Sequence, residues 1–312
     1  MSGPRPFRFG AQVSRSSSAA SWAELARKVE DLGYSTLFVP DHFEDQLAPP
    51  VALQAAADAT SDLRVGALVF GNDYKHPVVL AKEMASLDVL SGGRVEMGLG
   101  AGWMRTDYDK AGIPYDEPGV RVSRMEESLT VIKALMADEA CTFEGEHYTI
   151  RGLDGLPKPV QRPHPPILIG GGGRRVLGIA GREADIVGIN PSLRAGEIGP
   201  EAASDATAEA TDRKLGWLRD AAGDRFDQIE LNCLVMACIV TDDRAPAAEM
   251  MAGLFGVDPA GALEVPHALI GSVDEICEDL VARRERWGFS YIVVQGDAFD
   301  AMAPVVERLA GT

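Results

Sequence analysis

The chain reads as an α/β protein, a (β/α)8 TIM barrel with loop insertions, and three observations predict it. Short apolar runs alternate with helical periods along the whole sequence. The runs are continuously apolar, as in Leu37-Phe38-Val39, Ile167-Leu168-Ile169 and Tyr291-Ile292-Val293-Val294, which suits parallel strands covered on both faces. Eight such strand–helix units fit within 312 residues, the size of one such barrel. A doubly wound open sheet is the alternative arrangement of the same units. No Ser/Gly linker divides the sequence, so residues 1–312 are expected to form a single domain, with insertions near 104–118, 141–150 and 191–211.

Each element has its own signal. A short strand over Arg8–Val13 precedes a helix whose start is marked by Ser21 with Glu24 three residues on, a capping-box pattern. Trp22, Leu25, Ala26, Val29 and Leu32 recur at helical spacing, and Gly33 ends the helix. Strand Ser35–Pro40, an Ala-rich helix over Val51–Thr60 and strand Leu63–Phe70 follow. Pro77 opens a helix to Leu90, closed by Gly92 and Gly93, and Arg94–Leu99 is the fourth strand. Val122, Met125, Leu129, Ile132 and Met136 mark an amphipathic helix over Val120–Ala137. Cys141–Phe143 and His147–Ile150, joined by Glu144-Gly145-Glu146, predict a β-hairpin outside the main pattern. After a Pro-rich connector come strand Ile167–Gly170, helix Arg174–Gly181, strand Ala184–Asn190, a helix around Ala203–Ala222 and strand Ile229–Val240. Helices near Ala245–Phe255 and Val273–Trp287, strand Tyr291–Gln295 and a helix to Leu309 complete the eight units.

Composition narrows the function. A hydrophobic fraction of 46% with 25% charged residues is that of a folded globular chain. No apolar run approaches the roughly 20 residues that span a bilayer, and Met1–Gly10 carries no apolar core of a secretory signal. Cys141, Cys233, Cys238 and Cys277 are widely spaced, which predicts reduced thiols and a cytoplasmic protein. The net charge of −17 argues against nucleic acid as a partner. Any anionic ligand must be held by local donors against this field.

Barrel chemistry sits at strand C-terminal ends, which directs attention to three sequences. The second strand runs into Asp41-His42-Phe43, where an Asp and a His could hydrogen-bond or protonate a ligand, or could cap a turn and pack. The fourth strand ends in Gly98-Leu99-Gly100-Ala101-Gly102-Trp103. The glycines let backbone and a flat ligand approach closely, and Trp103 either walls such a ligand or belongs to the core. The fifth ends in Gly170-Gly171-Gly172-Gly173, and Arg174-Arg175 open a helix. Helix N–H groups beside guanidiniums make a ready anion site, the alternative being a glycine-rich turn with solvated arginines. His76 is better explained as the residue before a helix than as a base. GxxxxGK[ST], HExxH and GxSxG are absent, and the five histidines do not cluster, so no metal site is expected.

With these residues in place, the chain resembles the bacterial luciferase-like monooxygenase superfamily, in particular its branch of deazaflavin (coenzyme F420)-dependent oxidoreductases. The resemblance is carried by Asp41-His42-Phe43, by Lys75-His76-Pro77 leading to Leu87-Asp88-Val89-Leu90-Ser91-Gly92-Gly93-Arg94, and by Gly98–Trp103. Gly119-Val120-Arg121 with Glu126-Glu127, Pro166–Gly171 and Gly288–Leu309 extend it over essentially the whole chain. It implies a TIM barrel with insertions, usually a homodimer, that binds F420 or, alternatively, FMN. Asp41 and His42 would contact the ring, a non-proline cis peptide near Leu68-Val69 would back it, and Gly170–Gly173 with Arg174 would take the phosphate. Catalytic roles fall to His42, Asp41 and Trp103, and Gly100 joins the cofactor contacts. Some deazaflavin dehydrogenases place a Glu where Trp103 stands, so a sugar-phosphate substrate is not implied. The activity expected is hydride transfer between F420 and a small organic substrate. The alternatives are an FMN-dependent monooxygenase using reduced flavin and oxygen, and a non-catalytic cofactor-binding barrel.

Overall fold

The structure is a computed structural model that describes residues 4–312. The strands, in chain order, are β1 (Arg8–Gln12), β2 (Thr36–Val39), β3 (Arg64–Gly71), β4 (Val95–Gly100), β5 (Cys141–Glu144) and β6 (Thr149–Leu153). They continue as β7 (Ile167–Gly171), β8 (Ile186–Ile189), β9 (Glu230–Val235), β10 (Ala237–Val240), β11 (Ala268–Gly271) and β12 (Phe289–Gln295). Eight of them close into a barrel in the order β1-β12-β9-β8-β7-β4-β3-β2. These are the eight strands read from the sequence, and the pairs run parallel, for example Arg8↔Tyr291 through Gln12↔Gln295. Val39, Ile169, Val187 and Val293 are fully buried, which is why their strands are apolar on both faces.

The helices are α1 (Ala19–Asp31), α2 (Pro49–Ala59), α3 (Pro77–Leu90), α4 (Arg105–Ala111), α5 (Pro118–Met136), α6 (Arg174–Glu183) and α7 (Pro200–Ser204). They continue as α8 (Ala208–Ala222), α9 (Arg244–Phe255), α10 (Pro259–Glu264), α11 (Val273–Trp287), α12 (Ala298–Ala301) and α13 (Ala303–Leu309). Among the described residues no helix is long and apolar enough to cross a membrane. The chain packs as two compact units. One comprises, of the described residues, 4–13, Lys28–Thr36 and Gly170–Thr312, the other Ser14–Arg27 and Leu37–Ile169.

Several expectations shift. The first helix begins at Ala19, so Ser21 lies inside it. Ser18 and Ser21 exchange backbone N–H bonds with each other's hydroxyls, both at 3.1 Å, so the reciprocal cap forms one turn earlier than the Ser21–Glu24 pattern suggests. The helix around Ala203–Ala222 is two helices, the second capped afresh by the Thr207 hydroxyl on the Ala210 N–H. The single strand Ile229–Val240 also divides. At the break the N–H groups of Met236 and Ala237 both donate to the His267 carbonyl, at 2.9 and 3.2 Å, which takes the chain out of the barrel. β10 then pairs in parallel with β11, a strand absent from the sequence reading. The two face a separate apolar cluster of Met251, Ala252, Ala262, Val265 and Ile270 built on α9 and α10. Of the expected insertions, 104–118 contains α4, the hairpin reaches Leu153, and 191–211 contains α7.

Candidate active site

The ends of β2, β3 and β4 build the first part of the site within the unit that holds Leu37–Ile169. Directly after β2, the His42 imidazole places Nδ1 2.6 Å from Oδ2 of Asp107. Asp107 stands in the first turn of α4 with its side chain only 3% exposed. The same carboxylate accepts the Phe43 N–H at 3.3 Å and the Tyr74 hydroxyl at 3.1 Å. Burial first, then the charge of Asp107, pushes the Tyr74 phenol far above its ordinary range, so it stays a donor. Trp103 meets the His42 ring edge-on, with centroids 5.7 Å apart and planes at 84°. The Trp103 carbonyl is held by the Tyr115 hydroxyl at 3.0 Å. The sequence thus gave His42 and Trp103 as separate candidates, and the fold makes them neighbours.

Asp41 uses a carboxylate oxygen to accept the Gly71 N–H at 3.1 Å, tying the loop after β2 to the end of β3. Burial pushes its carboxyl above the usual aspartate value, against the opposing pull of the Gly71 N–H and the Lys75 charge. The Leu68–Val69 peptide in β3 is cis, as the resemblance implied. Beside it, a Cβ at Gly98 would lie 2.0 Å from the Ala67 carbonyl oxygen, and one at Gly100 would lie 2.7 Å from Cγ2 of Val69. Gly100 is therefore explained by packing behind β3, and any ring contact it makes must come from its backbone.

Around this core the loops are tied by ions. Asp73 accepts from Arg124 at 2.9 Å and from the Tyr108 hydroxyl at 3.0 Å. Glu127 takes the N–H groups of Glu146, His147 and Tyr148 and so fixes the hairpin tip to α5. Three hydrogen bonds to backbone lower its pKa against the opposing effect of burial. His76 is the cap of α3, accepting from Val78 N–H, as its position predicts.

The Leu87–Arg94 segment that helped carry the resemblance is scaffold. Buried Asp88 accepts the Gln161 backbone N–H at 2.9 Å and its side-chain amide at 2.6 Å. Arg94, at the start of β4, donates to the carbonyls of Ala57, Leu63 and Ser91. These bonds hold the beginning of the strand, the end opposite to barrel chemistry.

The glycine run lies in the other unit. β7 ends at Gly171, Gly173 stands at the N-cap of α6 without a side-chain cap, and Arg174 and Arg175 follow, both exposed. A Cβ at Gly172 would lie 2.4 Å from the Asn190 carbonyl oxygen and 2.6 Å from the Ser192 nitrogen. Only glycine lets the two backbones pass. Nearby, Oδ1 of Asn190 is buried without a partner. A helix N-terminus followed by two guanidiniums is suited to an anion.

Asp107 was missed by sequence reasoning. An acidic residue in the first turn of a helix is adequately explained by the helix dipole, so its spacing from Trp103 carried no further message. Among the described residues no three His, Cys, Asp or Glu side chains converge as metal ligands would.

The luciferase-like monooxygenase family profile matches residues 5–286, and the chain belongs to that family. Curated relatives include an F420-dependent glucose-6-phosphate dehydrogenase of Nakamurella multipartita, 30% identical over 243 residues, covering 73% of this chain and 66% of the relative. An FMNH(2)-dependent dimethylsulfone monooxygenase of Pseudomonas putida is 28% identical over 187 residues, covering 56% and 51%. The chain spans between half and two thirds of the length of the first curated relatives it matches. The coenzyme F420-dependent tetrahydromethanopterin reductase of Methanopyrus kandleri shares the fold at a TM-score of 0.78 and 18% identity, over 98% of this chain and 99% of that one.

Proposed function

We propose that the protein is an F420-dependent oxidoreductase that moves a hydride between the deazaflavin and a small organic substrate. The observation that carries this reading is the His42 imidazole held by a buried carboxylate beside Trp103 at the strand C-terminal ends. The residues fit such a cofactor. Within the unit that holds Leu37–Ile169, Trp103 and the Val69 region offer a flat wall and Asp41 and His42 offer polar contacts to the ring; the phosphate is assigned to Gly171, Gly172, Gly173 and Arg174 on the resemblance. When bound, a deazaflavin supplies two-electron hydride chemistry with little reactivity toward oxygen.

The chain's own residues do the rest. Asp107 orients His42, whose Nε2 exchanges a proton with substrate. Asp41 orients the ring through a hydrogen bond, and Trp103 excludes water from one side. Substrate is chosen by the loops that carry Asn72–Tyr74 and α4. Four free cysteines are consistent with work in the reducing cytoplasm. A homodimer is part of this reading, and Val51 on α2 and Val79, Val89 and Leu90 on α3 are exposed apolar side chains that such an interface would cover.

The second reading is an FMN-dependent monooxygenase of the same family, favoured by the Pseudomonas relative. Equilibrium binding of purified protein to oxidised and reduced F420, FMN and reduced FMN separates them. The proposal expects selective F420 binding and no flavin-dependent oxygen uptake. Tight FMN binding with oxygen consumption would reverse the choice.

A further inference from the structure

We propose that Asp107 is a positioning residue that fixes the tautomer of His42, so that the neutral imidazole carries its proton on Nδ1 and keeps Nε2 as the working nitrogen. The working role of Nε2 rests on the oxidoreductase reading above, whereas the tautomer does not.

The argument is one of donor and acceptor obligations. An ionised carboxylate only accepts. Asp107 receives three groups: the Phe43 backbone N–H, which can only donate, at Oδ1, and at Oδ2 the Tyr74 phenol, which donates because the carboxylate offers it no proton. The third, His42 Nδ1, stands 2.6 Å from Oδ2, so it too must present an N–H. With the Asp107 side chain 3% exposed, water has little access to take the place of the imidazole at the carboxylate. Trp103, packed edge-on at 5.7 Å, restricts rotation of the ring. A neutral imidazole has one proton, so Nε2 is left unprotonated and accepts a hydrogen bond.

Replacing the carboxylate by an amide makes the logic run backwards. In Asp107→Asn, the Phe43 N–H still requires an acceptor and draws the amide oxygen to the Oδ1 place. The NH2 group then faces His42 Nδ1, which can meet it only as an acceptor. The imidazole proton moves to Nε2, and the tautomer reverses without a change in shape.

The test is two-bond nitrogen–proton correlation NMR on uniformly 15N-labelled, full-length protein without cofactor, recorded well above the ordinary histidine pKa. The His42 signals are assigned by their loss in His42→Gln. The expected result is a pyridine-like Nε2 in the wild type and in Tyr74→Phe, which keeps the carboxylate, and a pyridine-like Nδ1 in Asp107→Asn. A wild-type spectrum with the proton on Nε2 overturns the proposal, even if Asp107→Asn does not fold. An Asp107→Asn spectrum with the proton still on Nδ1 also overturns it. Equilibrium binding of F420 to the same samples tests the cofactor reading separately. A protein that binds no F420 can carry the expected tautomer, and one that binds it tightly can carry the wrong one.

Discussion

Gly98→Ala tests how β3 and β4 are held together behind the site. The added methyl would sit 2.0 Å from the Ala67 carbonyl oxygen and 3.0 Å from Cγ1 of Val69. Close carbon–oxygen contacts settle at about 3.3 Å or more, so over an ångström must be recovered. The obstacle is backbone, and no rotamer change relieves it. β4 cannot simply slide, because Gly98 pairs with Leu168 on one side while Met97 pairs with Ala67 on the other. The strands must part. Overpacking costs ~1–3 kcal/mol, and losing two ladder hydrogen bonds adds ~1 kcal/mol each. The sum is about 3–5 kcal/mol against a typical stability of ~5–15 kcal/mol. For a chain of this size that lowers the melting temperature by roughly 5–8 °C.

The control is Gly216→Ala in α8, where a Cβ meets no atom within 4 Å. Alanine there is expected to gain ~0.5–1 kcal/mol, the usual penalty of a helical glycine. Thermal and urea unfolding of both variants measure the contrast. The shift also moves Val69, so F420 affinity should fall in Gly98→Ala and hold in Gly216→Ala. If Gly98→Ala melts with the wild type, the close approach of the two strands is not as described.

Three further outcomes are expected. His42→Ala should lower turnover of any substrate the wild type accepts by ~10²-fold or more while affinity for oxidised F420 changes less; wild-type turnover would make His42 a structural residue. Arg174→Ala should weaken F420 binding by ~1.5–3 kcal/mol, the worth of a charge-assisted hydrogen bond; unchanged affinity in a folded variant would remove the phosphate cradle. Asp41→Asn concerns stability. Burial raises the folded pKa of Asp41 above its ordinary 3.8, so the folded state holds the proton more firmly than the unfolded chain. Ionisation therefore costs stability as pH rises from the ordinary value through the raised one, and the full cost is present at neutral pH. Asparagine keeps an acceptor for the Gly71 N–H without the charge. The variant should melt above the wild type at pH 7 and lose that advantage in acid; a lower melting point at pH 7 would refute the account.

The barrel was legible because its strands are apolar on both faces and its helices carry start and stop signals. Pro77 needed no tertiary knowledge, since proline acts within one turn, and the Ser272–Glu275 box that the structure shows at the start of α11 is equally local. Met236 gave no comparable signal. Nothing local says that the chain leaves the barrel there, because the carbonyl that turns it belongs to His267, 31 positions on.

The site divides along the same line. Asp41, His42 and Trp103 were readable because they follow strands whose C-terminal ends a barrel brings together, and the glycine run because helix N-termini carry their own field. What the sequence by itself determined was which strands exist, which helices follow them, and which residues stand at their ends. Only the tertiary structure decided that Asp107 reaches back across 65 positions to His42 and that Gly98 and Gly100 yield space to β3. It also decided that Asp88 and Arg94 hold a strand's beginning rather than a ligand. Short-range propensity is written in neighbouring residues, whereas a hydrogen-bond partner is chosen by whatever the closed sheet places within 3 Å.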